Sequence, residues 1–94
     1  MPDGTVSDMP TLARFYGIRV RMRWREHPPP HFHVEYQGHK ASIEIESLEI
    51  IRGRLPKRAR VLVLEWAMQH RDEIRQAWNS VQNRQSPPTI EPLD

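Results

Sequence analysis

The sequence predicts an α+β fold: a three- to four-stranded antiparallel β-meander packed on one long C-terminal α-helix, with extended N- and C-terminal arms. Three observations carry this expectation. From Phe15 to Arg25 apolar residues alternate with Arg, and from His31 to Ile45 two further alternating runs flank Gln37-Gly38-His39-Lys40, the pattern of a hairpin. From Lys57 to about Asn83 there is no Gly or Pro, and apolar residues recur at helical spacing.

Met1 to Asp8 are polar and are expected to form a disordered leader, with residues 9–94 as one α+β domain. The first strand, about 15–25, sets Ile18, Val20, Met22 and Trp24 on one side and Arg19, Arg21, Arg23 and Arg25 on the other. Glu26 to Pro30 follow as a stiff connector, because three prolines fix φ and favour an extended path. Strands at about 31–36 and 40–46 come next. With Gly38-His39 as the two-residue turn, Tyr36 lies opposite Ala41, Val34 opposite Ile43 and Phe32 opposite Ile45, while the second face pairs His33 with Glu44 and His31 with Glu46. A one-residue slip would set every apolar side chain beside a charge. Return through the connector pairs Trp24 with Phe32, Met22 with Val34 and Val20 with Tyr36, so the strands share one apolar face. A fourth strand is expected at about 49–54.

Pro56 suits the first position of a helix, since it has no amide proton to satisfy there, and the helix is expected to run over about 56–83. Its stripe of Ala59, Leu62, Val63, Trp66, Ala67, His70, Ile74, Ala77, Trp78 and Val81 should lie across the apolar sheet face. Each large apolar side chain so buried contributes roughly 1.5 to 3 kcal/mol before entropy is subtracted. The tail, residues 85–94, is an extended arm that becomes ordered where Ile90 and Leu93 are held.

The absence of cysteine removes disulfide and thiolate chemistry and fits a cytoplasmic location. The longest apolar run, Val61 to Leu64, is far too short to span a membrane, and the N-terminus lacks the features of a signal peptide. Fourteen Lys and Arg against twelve Asp and Glu leave a formal charge of +2, too small to imply nucleic-acid binding by itself. Arg carries nearly all of the positive charge, and its planar fork suits carboxylate and phosphate recognition.

Four groups of residues have chemical potential. His31 and His33, two residues apart on one strand face with Glu44 and Glu46 across from them, offer ligands for a divalent metal such as zinc, although the adjacent Arg row opposes a cation and no cofactor is otherwise expected. Simple cross-strand hydrogen bonding is the plainer reading of the same residues, and nearby carboxylates would then raise the histidine pKa values. The ladder of Arg19, Arg21, Arg23 and Arg25, with Glu35 beside it, either meets phosphates or acidic partners or forms a mutually paired, solvated face. His70, one turn before Glu73, falls on the apolar stripe and reads as a half-buried imidazole before it reads as a catalytic one. Glu26-His27-Pro28-Pro29-Pro30 reads as a rigid connector.

Three segments carry a family likeness: Met9-Pro10-Thr11-Leu12-Ala13-Arg14-Phe15-Tyr16-Gly17-Ile18, Pro29-Pro30-His31-Phe32-His33-Val34-Glu35-Tyr36 and Glu65-Trp66-Ala67-Met68-Gln69-His70-Arg71-Asp72-Glu73. Together they resemble the small bacterial DUF4160 family. The resemblance implies a stand-alone cytoplasmic protein from a toxin-antitoxin-like gene pair, with Met1 to Asp8 an extension or a start placed upstream of Met9. It carries no reaction, cofactor or site residue. The expected function is therefore a binding module for a protein encoded nearby, or for nucleic acid, with homodimerisation through an open strand edge as a further expectation. The alternative is a small metal- or histidine-dependent hydrolase or ribonuclease that works through His31 and His33, with Glu44 or Glu46 assisting and Arg23 stabilising phosphate charge.

Overall fold

A computed structural model describes residues 9–94, so the expected leader at Met1 to Asp8 lies outside the described residues. Among the described residues the chain forms five strands and two helices: β1 (Thr11–Phe15), β2 (Ile18–Arg21), β3 (His31–Tyr36), β4 (His39–Glu44), β5 (Ile50–Gly53), α1 (Lys57–Gln69) and α2 (Arg71–Gln82). The strands make one antiparallel sheet in the order β1-β2-β3-β4-β5. The α+β class with an antiparallel meander is as the sequence predicts, but the sheet has one strand more and the helix is two.

The extra strand comes from the turn at Tyr16-Gly17. Both residues have positive φ (50° and 79°), the requirement of a two-residue turn whose twist matches the flanking strands. The expected first strand of 15–25 is thereby divided, with β1 before the turn and β2 ending at Arg21. The second hairpin uses the same device one residue earlier than expected. Its turn is Gln37-Gly38, again with φ positive at both positions, so Tyr36 pairs with His39, Val34 with Ala41 and Phe32 with Ile43. Between β2 and β3, Val20 pairs with Val34 and Ile18 with Tyr36. Each register differs from the expected one by two residues, which leaves every side chain on its expected face because the strand period is two.

The core lies between the apolar sheet face and the helices. Val20, Met22, Phe32, Val34, Ile43 and Ile45 from the sheet side, and Val63, Trp66, Ile74 and Val81 from the helices, are fully buried. The single expected helix breaks at His70 (φ −124°), whose N–H bonds to the Ala67 carbonyl in a tightened last turn. Asp72 and Glu73 stand in the first turn of α2, where carboxylates complement a helix N-terminus, and Glu73 reaches back to His70 Nδ1 at 2.5 Å. The tail is held at two points. Ile90 N–H donates to the Leu12 carbonyl (2.8 Å) and Trp66 Nε1–H to the Glu91 carbonyl (2.8 Å), which seats Ile90 and Leu93 in the core.

Candidate metal centre

The sheet face turned away from the core carries polar residues in cross-strand rows. One row runs Arg21, His33, Ser42, Arg52 over four strands, and the next runs Arg19, Glu35, Lys40. Arg19 Nη2 lies 2.7 Å from Glu35 Oε1 and Arg21 Nη1 2.9 Å from Glu35 Oε2, so both oxygens of that carboxylate are taken by guanidinium groups. The hydrogen bond from Arg19, joined by Arg21 and opposed by some burial, holds the Glu35 carboxyl below its ordinary range. Arg23 and Arg25 lie outside the strand, in the connector, where Arg25 has positive φ and donates its N–H to the Val81 carbonyl. The four-residue Arg ladder is therefore two strand positions, occupied by Glu35, followed by two connector positions.

The connector folds back over the end of the sheet and delivers Glu26 to the histidines. Its path is set by the Arg25 to Val81 bond and by Gln82 Nε2, which donates to the Glu26 carbonyl at 3.2 Å. The Pro28–Pro29 peptide is cis. Glu26 Oε1 lies 3.0 Å from His33 Nε2 and 3.8 Å from His31 Nε2, and one ligand atom from each of Glu26, His31 and His33 falls within 4.8 Å of the others. Metal bonds of about 2.1 Å in a tetrahedral site set ligand atoms about 3.4 Å apart, between the two measured separations.

Both imidazoles are oriented from behind. His31 Nδ1 lies 2.7 Å from the Pro29 carbonyl oxygen, which can only accept, so Nδ1 carries a proton and the neutral form of the ring presents its lone pair at Nε2, toward Glu26. The His31 ring also packs against Trp78 (5.5 Å between centroids) and edge-on against His33 (5.1 Å). His33 donates Nε2–H to Glu26, and its Nδ1 meets the Ser42 hydroxyl at 3.3 Å. Because a hydroxyl both donates and accepts, the His33 proton can move from Nε2 to Nδ1 without loss of that bond. The carboxylate or carbonyl behind a ligating imidazole is the usual way such a ring is held for a metal.

Burial pushes the His33 pKa down more than Glu26 raises it, with His31 and Arg23 adding to the depression. The expected upward shift thus fails at His33, because a half-buried imidazole loses more hydration than one carboxylate returns. For Glu26 burial acts upward, but the His33 hydrogen bond and the positive charges of His33, His31 and Arg23 prevail and lower its pKa. A neutral imidazole beside an ionised carboxylate is the protonation pattern a metal ligand set requires. Arg23 Nε lies 3.5 Å from Glu26 Oε1, but its side chain is 56% exposed and able to turn into solvent.

The other sequence-derived candidates lie elsewhere. Glu44 pairs with His31 in register, yet its carboxylate accepts from the Ser47 hydroxyl. Glu46 is forked by Arg75 through two bonds of 2.7 Å, and neither glutamate joins the cluster. His70 serves the helix break and stacks near Trp66 (5.7 Å). The acidic member that sequence reasoning placed on β4 stands in the connector instead. A hollow of about 730 Å³ between β1 and the tail is lined by Leu12, Arg14, Glu73 and Ile90 and brings together no comparable ligand set among the described residues.

The family model described as "Domain of unknown function (DUF4160)" matches residues 17–79, more than half of the chain. No curated protein and no solved structure matches it.

Proposed function

The chain belongs to the DUF4160 family, and on that premise we propose that it is a divalent-metal-binding module whose protein ligands are Glu26, His31 and His33. One observation carries the reading: three ligand atoms of suitable chemistry lie within 4.8 Å of one another, on two imidazoles whose far nitrogens already meet Pro29 and Ser42. Two imidazoles and a carboxylate suit zinc and neighbouring transition metals better than magnesium or calcium. Three protein ligands leave coordination positions open, the arrangement of catalytic rather than structural zinc sites, so a bound ion would supply Lewis acidity to a ligand on the polar sheet face. The site replaces the set of His31, His33, Glu44 and Glu46 with one the side chains can form.

The test is a zinc titration against a chromophoric chelator. The wild-type protein should take up one equivalent and His33→Ala should not, with the circular dichroism of the two compared to establish that the variant folds. A wild-type protein that leaves the chelator's zinc untouched removes the proposal.

A second reading keeps the expected binding module of a cytoplasmic toxin-antitoxin-like pair. Its support is β5, the last strand of the sheet among the described residues, whose Ile51 is 45% exposed. A native mass spectrum of the protein isolated gently from its own cells reports both readings: bound metal supports the first, and a second protein of fixed stoichiometry supports the second.

A further inference from the structure

A hollow of about 230 Å³ opens on the polar sheet face directly beside the proposed metal centre, lined by Arg23, His33, Lys40, Ser42 and Arg52 and also by Met9 and the carboxylate-bearing Glu35. Its charge is unbalanced. Lys40 stands opposite Glu35 in register, but both Glu35 oxygens are drawn the other way, to Arg19 and Arg21 on β2. Arg52, opposite Ser42, makes no ion pair among the described residues, and neither does Lys40. Two cations from β4 and β5 therefore border a concavity that Ser42 and His33 also line. The hydroxyl of Ser42 and the guanidinium fork of Arg52 are the donors that tetrahedral oxyanions take up.

We propose that this hollow binds a phosphate-bearing ligand, with Lys40, Arg52 and Ser42 holding the phosphate and the ion at Glu26, His31 and His33 meeting one of its oxygens. The last contact rests on the metal-binding reading; the first three do not. The hollow's size selects a phosphate group with a small substituent. An extended nucleic-acid backbone would need a continuous line of free cations, and Glu35 occupies the neighbouring Arg19 and Arg21. The ligand class is therefore a small phosphoester or free phosphate, with metal and cations dividing the negative charge between them.

The experiment is a titration with inorganic phosphate, read by amide shifts of Ser42 and Arg52 in a two-dimensional NMR spectrum. Zinc-free wild-type protein, zinc-loaded wild-type protein and the double variant Lys40→Gln with Arg52→Gln are compared, and zinc uptake is followed separately with the chelator. Both substituted residues are exposed and outside the metal ligand set, so the variant should fold and take up zinc as the wild type does. Saturable shifts are expected in the wild type, tightened about tenfold by zinc because the ion is the largest local charge. The double variant should lose them in both states. Zinc uptake with no saturable phosphate shift, or shifts unchanged in the double variant, overturns the inference while the metal centre stands. No zinc uptake, with phosphate shifts that depend on Lys40 and Arg52, supports the anion site and removes the metal centre. Binding of a single-stranded oligonucleotide where phosphate does not bind also overturns it, in favour of an extended surface.

Discussion

Glu35, on the polar sheet face, and Glu26, in the connector at the end of that sheet, have opposite chemical fates. Each carboxylate lies between two basic side chains spaced two residues apart on a strand: Arg19 and Arg21 of β2 for Glu35, His31 and His33 of β3 for Glu26. Guanidinium groups stay charged at every ordinary pH and offer only donors, so the first trio is complete as it stands. Imidazoles that are neutral retain a lone pair, so the second trio can still take a cation. The same backbone spacing thus yields a closed ionic brace on β2 and an open ligand set on β3, and side-chain type alone makes the difference.

The comparison breaks most sharply if the ligand set is altered. Glu26→Gln should weaken zinc binding by more than about 100-fold, beyond the effect of losing an outer-shell partner, whereas Glu35→Gln should leave zinc affinity unchanged; chelator competition measures both. Equal losses in the two would mean that bulk negative charge, and not ligation, attracts the ion. A smaller effect is expected at Ser42→Ala, about tenfold in zinc affinity, since only the orientation of His33 is relaxed. Glu44→Gln and Glu46→Gln should leave zinc binding within error of wild type, and a loss at either would restore that carboxylate to the site.

On the other side, Glu35→Ala should cost about 1 kcal/mol in urea unfolding, the figure for a partly exposed ion pair screened by solvent. The pH dependence follows from the depressed Glu35 pKa. The unfolded chain binds a proton there at higher pH than the folded one does, so the brace contributes above the ordinary carboxylate pKa and is lost as pH falls through the folded value. Unfolding measured between pH 7 and pH 3 should therefore show a shallower acid loss in Glu35→Gln than in the wild type. Identical slopes would mean that the Arg19 and Arg21 contacts add nothing to folding.

Alternation made the sheet's two faces legible in the sequence, and the pairing of His31 with His33 followed from it directly. The turns were harder, because Tyr16 and Gln37 adopt positive φ without being Gly, Asn or Asp: one makes a hairpin where none was expected, and the other starts a two-residue turn one residue early. The break at His70 had no Gly or Pro to announce it; its only sign was the acidic pair Asp72 and Glu73 placed as at a helix start. Glu26 could not be joined to the histidines by spacing at all. Its position depends on contacts with Val81 and Gln82, more than fifty residues along the chain, and only the assembled fold supplies those.

The strap formed by residues around Ile90 also sets the valency of the sheet. By bonding to Leu12 it meets the β1 border, so among the described residues β5 is the border where a further strand would add. A particle with one adhesive border stops at a pair, whereas one with two grows into a fibre. Thirteen-residue α1 and its neighbour hold the core together, while this short strap meets the sheet at one of its two borders.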